Sequence, residues 1–266
     1  MMKNRLEEKL QSEKPTYSDD EVMWLLEHIG HSDAAIRDEL VYISLGRGLF
    51  EGLFTRDQFR LLVEKSLAKD YLLYRMDERG LAALTRSFTA LLLGHLLEVS
   101  CLLDSPYFQL ISEQEYQSIG QKAYEYLEKE QDFTGYSDNY GWVHAFAHGA
   151  DLAVALVKHP FFQQEDWSRL FPIVTGIFQR LPQRFVDDEE WRLARVIYEA
   201  IKHGHLQEGI LIDWIKTLHF PLETNRDFYR FSAVRSCLLE IYLQLDKENL
   251  LSGALKQVIQ DWGIGD

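Results

Sequence analysis

The sequence predicts an all-α protein built of stacked helical hairpins in a single continuous domain. Three observations carry that reading. Apolar residues recur at spacings of three and four along almost the whole chain, sustained alternation is missing, and no Asn-Gly or Asp-Gly hairpin signal occurs. The 266 residues are 46% hydrophobic and 13% aromatic, which is ample for a large buried core.

The elements follow in order. Residues 1–17 carry charges throughout and no continuous apolar block, so they read as an N-terminal extension, flexible or a short helical arm, without a secretory signal or membrane anchor. The helical domain is expected to run from 18 to 266. Ser18 stands before Asp19, Asp20 and Glu21, a cap followed by carboxylates that complement a helix dipole, and Ser32-Asp33 opens the next helix over 34–49. Those two helices form a hairpin. Further helices are predicted near 55–69, 78–103, 112–131, 141–158, 164–181, 187–203, 206–218, 226–245 and 248–262. Pro160, Pro172, Pro182 and Pro221 fall mostly at or near proposed ends. The most apolar stretch, 81–103, contains Arg86, His95 and Glu98, and reads as a buried helix rather than a membrane span.

The second helix of the first pair carries Ser32-Asp33, then Ile36-Arg37, then Leu40. This resembles the HEAT-repeat pattern of a turn aspartate followed by an apolar-Arg pair and a core residue one turn on. A similar arrangement returns at 187–201, with Trp191-Arg192 in the place of Ile36-Arg37, and more loosely at 226–245. Each such hairpin has one apolar face that only a neighbour can hide, which implies an α-solenoid of HEAT- or armadillo-like hairpins. A closed α/α ring is the alternative.

Charge narrows the partners. Lys and Arg total 28 against 42 Asp and Glu, a formal net charge of −14 that repels phosphate backbones and anionic lipid surfaces. Nucleic-acid and membrane partners are therefore not expected. Cys101 and Cys237 each sit in a leucine-rich segment, as buried thiols do in a reducing cytoplasm. No nucleophile elbow, Walker A loop or dinucleotide glycine fingerprint occurs.

The stretch YGWVHAFAHGAD, residues 140–151, holds the candidate site. At about 100° per residue on a helix, Trp142, Val143, Phe146, Ala150, Ala153 and Val154 share a broad apolar sector, and His144, His148 and Asp151 occupy the narrow polar stripe left over. A helix covered on so much of its girth lies centrally in the stack, so its polar stripe is expected to face a groove or pocket. Histidines four apart can share a zinc-like divalent ion, but Ala145 stands where the zinc proteases place a glutamate. Asp151 is about 10.5 Å along the axis from His144, too far to join it comfortably on one ion, and leans back toward His148. Its expected role is to orient that imidazole. Arg86, in an apolar helix, reads as a buried ion-pair partner first and a ligand contact second.

The segment GYSDNYGWVHAFAHGADL (135–152) resembles the signature of an uncharacterised bacterial family, domain of unknown function twenty-seven eighty-five, with its G-W-x-H-A-x-A-H-x-A-D-L core. Thr85-Arg86-Ser87-Phe88, Asp188-Glu189-Glu190 and Arg192-Leu193-Ala194 match it too, while Trp191 departs from the smaller or polar residue expected there. The resemblance implies a soluble helical protein and names no substrate. The resulting expectation is a cytosolic binding or scaffold module taking a protein, peptide or small molecule at Trp142, His144, His148, Asp151 and Arg86, with no cofactor. The alternative is a metal-dependent hydrolase with His144 and His148 as ligands and a carboxylate from another helix.

Overall fold

Short polar side chains set the helix starts. Glu21 N–H donates to Ser18 Oγ while Ser18 N–H donates to the Glu21 carboxylate, and the same reciprocal box recurs at Thr55/Gln58, Ser112/Glu115 and Thr224/Asp227. Each box satisfies two backbone donors that a helix end otherwise leaves without partners. The computed structural model describes residues 2–263. The fold is all-α apart from one hairpin of two-residue strands among the described residues. It gathers into two compact units divided after Pro160. No linker composition marks that division, which falls where the helix ending at Lys158 passes into extended backbone at His159.

The first unit contains α1 (Met2–Leu10), α2 (Asp19–Glu27), α3 (Ala34–Ile36), a π-helical stretch (Arg37–Tyr42), α4 (Ile43–Phe50), α5 (Arg56–Ala68), α6 (Leu81–Cys101), α7 (Glu113–Lys129), strands β1 (Tyr136–Ser137) and β2 (Gly141–Trp142), and α8 (Ala145–Lys158). Helix α1 buries Leu6 completely and directs Arg5 and Lys9 onto the buried Glu21 carboxylate. The Lys9 hydrogen bond and neighbouring donors hold Glu21 below its ordinary pKa range although burial opposes them. The extension before residue 18 thus includes a helix.

Helix α6 is the centre of this unit. Leu84, Leu92, Leu93, Leu96 and Leu97 are all buried, each contributing about 1.5–3 kcal/mol of transfer free energy before entropy is counted. Its broadest contact is with α8. Glycines permit the close approaches: a Cβ on Gly149 of α8 would come 2.7 Å from Leu127 Cδ2 and 2.9 Å from Tyr126 Cε1 of α7. Tyr126 uses that gap to donate its hydroxyl proton to the Ala145 carbonyl at 2.7 Å.

The second unit contains α9 (Trp167–Arg180), α10 (Glu189–Lys202), α11 (Glu208–Thr217), α12 (Asn225–Lys247) and α13 (Gly253–Gly263). Pro172 lies inside α9 rather than at an end. Trp191 is half exposed, so its ring displaces nothing in the core. Several helices two apart in chain order pack together, α4 on α6 and α6 on α8 in the first unit and α10 on α12 and α11 on α13 in the second, beside pairs of other spacing such as α7 on α8, α2 on α5 and α9 on α12.

Both cysteines are free, Cys237 being buried, and burial pushes both thiols above their ordinary range. Among the described residues no helix is long and apolar enough to cross a membrane.

Candidate functional site

The site begins in the turn before α8. Tyr140 N–H donates to the Ser137 carbonyl, closing a hairpin in which Tyr136 pairs with Trp142 and Ser137 with Gly141. Asp138, Asn139 and Gly141 are the turn chemistry behind it, Gly141 lying at φ +72°. The Tyr136 and Trp142 rings meet edge to face at 5.0 Å. Val143 N–H and His144 N–H then both donate to the Gly135 carbonyl, and the chain enters α8 through His144 in the left-handed region, φ 44° and ψ 37°. The helix starts at Ala145, four residues later than the sequence periodicity predicts. Trp142 and His144 are therefore not on its wheel: Trp142 is 42% exposed instead of facing the core, and His144 is half-buried at the N-cap position.

The rings nevertheless form one connected stack. The Trp142 indole lies on the His144 imidazole with centroids 4.4 Å apart and planes 4° apart. His144 is tilted against His148 at 5.5 Å, and His148 meets Phe88 of α6 edge to face at 5.2 Å. On Phe88 rests the Arg37 guanidinium, 4.8 Å from the ring centroid.

His148 is buried and its Nδ1 lies 2.7 Å from Ser87 Oγ of α6. Ser87 also makes a short hydrogen bond to the Val143 carbonyl, which can only accept. The single hydroxyl proton of Ser87 therefore goes to Val143, and at the second contact Ser87 Oγ accepts from His148 Nδ1–H. In the neutral ring this leaves the basic lone pair on Nε2. The pair is wired to orient the imidazole, not as a nucleophile with its base. The residue that holds Nδ1 is thus a hydroxyl on a neighbouring helix. Asp151 lies one turn further along α8 and is half-buried.

A second clamp comes from the π-helical stretch. Arg37 is fully buried and donates to both Asp38 carboxylate oxygens, to His31 O, and to Tyr140 O and Trp142 O at 2.6 and 3.3 Å. A Cβ on Gly141 would stand 3.3 Å from its Nη2, so the glycine also makes room for the clamp. Burial lifts the Asp38 carboxyl above its usual range despite the adjacent guanidinium. Sequence reading finds Arg37 only as part of a repeat pattern and Ser87 and Phe88 only as matched letters. Consecutive polar residues at 85–87 inside a leucine-rich helix are the signal that points to α6.

Arg86 stands apart from the stack. It is fully buried and donates to both Glu130 carboxylate oxygens at 2.7 and 2.9 Å, and to Tyr74, Arg75 and Glu78 carbonyls. These contacts use all five N–H groups of the guanidinium, so the ligand contact expected of Arg86 gives way to the ion pair. The metal alternative requires a third donor beside His144 and His148. Among the described residues no group of three or more His, Cys, Asp or Glu side chains is placed to hold an ion.

The model of the family described as Protein of unknown function (DUF2785) matches residues 72–243. The chain belongs to that family. The matched DUF2785 segment includes α6, the hairpin and α8, and so contains Ser87, Phe88, Trp142, His144, His148 and Asp151, but not Arg37. No curated protein and no solved structure matches the chain.

Proposed function

We propose that this chain is a cytosolic binding protein that takes a planar polar group of a small molecule or peptide at Trp142, His144 and His148, with Asp151 as the acidic group beside them. The observation that carries this reading is the parallel stack of a 42% exposed indole on a histidine held in left-handed backbone. Left-handed backbone costs a non-glycine residue on the order of 1–3 kcal/mol, and such strain clusters at ligand-binding and active sites. Arg37 and Ser87 fix the surrounding backbone, which is the pre-organisation a binding site requires. The packing of helices two apart supports reading the framework as stacked HEAT-like hairpins, a solenoid within each unit.

A fragment panel of aromatic acids, amides and heteroaryl compounds, followed by ligand-observed NMR, tests the reading. Hits that bind the wild-type chain and are lost in both Trp142→Ala and His144→Gly support it. Hits indifferent to both substitutions contradict it. Stoichiometric zinc in untagged protein, lost in the His144→Ala, His148→Ala double variant, would replace it with the metal reading.

A further inference from the structure

The histidine stack continues past Phe88. Tyr42 of the π-helical stretch meets Phe88 edge to face at 6.2 Å and His95 at 5.8 Å, and His95 meets Phe50 of α4 edge to face at 4.9 Å. Phe88, Leu91, His95, Glu98 and Leu102 follow one another at spacings of three and four, which puts them on one stripe of α6. Phe88 and Leu91 are buried, His95 and Glu98 half-buried and Leu102 exposed, so the stripe surfaces as it leaves the histidine site. From α8, His148 meets Phe88 and the Asp151 carbonyl would stand 3.7 Å from a Cβ on Gly94.

The α4 side of this stripe is uncovered. Tyr42, Ile43 and Phe50 are exposed, and midway between Tyr42 and Phe50 a Cβ on Gly46 would meet nothing within 4 Å. Exposed apolar side chains grouped in this way mark interaction surfaces. Between the rings, burial pulls the pKa of His95 down to about 4, so at neutral pH the imidazole offers one N–H and one lone pair. Among the described residues neither nitrogen makes a hydrogen bond, and neither is sealed from solvent. A peptide unit presents the matching pair, a carbonyl and an N–H.

The charge here is acidic. Glu39 lies close enough to Asp38 to raise its pKa, Glu98 stands one turn beyond His95, and Asp151 sits at the α6 crossing. Against them stands Lys158, beside Cys101, while the Arg37 and Arg47 guanidinium groups are spent on Asp38, Glu51 and backbone carbonyls. Basic side chains complement this rim, and acidic ones are repelled.

We propose that the stripe of α6 beyond Phe88, walled by Tyr42 and Phe50 and carrying His95, extends the histidine site into a track for an extended basic peptide with an apolar anchor. This rests on the reading of the histidine site given above. Phe88 and His95 are two turns apart, about 10.5 Å, which an extended peptide spans in three residues. The planar anchor and the apolar anchor are therefore three positions apart.

The probe is an N-acetylated, C-amidated pentapeptide with tyrosine first, leucine fourth and lysine elsewhere, titrated calorimetrically into the full-length chain. The expected Kd is about 100 μM or tighter, with glycine for leucine, or glutamate for the lysines, each weakening binding at least about tenfold. Phe50→Ala, at an exposed ring, and Gly46→Arg, which puts a better helix former into open space, should keep the melting temperature and lose about tenfold in affinity. Trp142→Ala should lose as much at the tyrosine end. Loss in Trp142→Ala with indifference to Phe50→Ala and Gly46→Arg, or equal binding of the glycine peptide, would overturn the track and leave the histidine reading standing. Indifference to Trp142→Ala would overturn both. Equal binding of the glutamate peptide, or no binding, would overturn the track, and the fragment panel then decides the histidine site alone.

Discussion

Ser87 Oγ and His148 Nδ1 lie 2.7 Å apart across the α6–α8 contact, and the direction of that hydrogen bond is fixed by the Val143 carbonyl on the far side of Ser87. One hydroxyl therefore joins a helix, a hairpin exit and an imidazole. Ser87→Ala leaves the Val143 carbonyl and the His148 Nδ1–H without their partner in a buried place, and is expected to cost about 1–3 kcal/mol in denaturant unfolding. A loss below a few tenths would mean that the pair holds nothing.

The left-handed backbone at His144 separates the ring's contribution from the strain it bears. His144→Ala removes the stack on Trp142 and keeps the unfavourable φ of 44°, whereas His144→Gly removes both. The glycine variant is expected to be more stable than the alanine variant by about 1 kcal/mol. Unfolding midpoints at equal m-value give the comparison. An alanine variant as stable as the glycine variant would deny the strain.

Arg86 and Glu130 form a fully buried pair. Arg86→Met strands the Glu130 charge and should cost about 3–5 kcal/mol. Adding Glu130→Gln removes that charge while its amide oxygen still accepts from the Gln131 and Asp132 N–H groups, so the double variant should recover at least about 1 kcal/mol of the summed losses. A double-mutant cycle by urea unfolding measures the coupling. Strict additivity would contradict the pairing.

His95 of α6 lies against Phe50 at 4.9 Å and Tyr42 at 5.8 Å, and burial pulls its pKa down from 6.5 to about 4. The fold thus prefers the neutral ring. Its stabilising effect is complete above pH 6.5 and is lost as pH falls from 6.5 through about 4. Over that window His95→Phe should be spared a loss on the order of 2–3 kcal/mol that wild type suffers. Parallel pH–stability curves for the two proteins would contradict the assignment.

The legible and illegible parts of the molecule differ in how far apart the causes lie along the chain. The cap at Ser18, the buried helix around Arg86 and the apolar face of α8 rest on residues within one or two turns of each other, so short-range sequence pattern exposes them. Two-residue strands at 136–137 and 141–142 are too short to show a period, so periodicity alone assigns Trp142 and His144 to the helix that follows. His144 carries no glycine to advertise its positive φ. The Ser87–His148 bond spans 61 residues and Arg37 reaches Tyr140 across 103, pairings that only the packing of α6, α8 and the π-helical stretch creates.

The most direct test of the central claim is the tautomer of His148. Long-range ¹H–¹⁵N correlation spectra of the imidazoles at neutral pH, assigned through His148→Gln, report which nitrogen carries the proton. The predicted result is a neutral His148 ring protonated on Nδ1 in wild type, with that preference weakened in Ser87→Ala. A wild-type ring protonated on Nε2, unchanged by Ser87→Ala, would show that α6 does not orient the histidine and would contradict the pre-organisation claimed for the site.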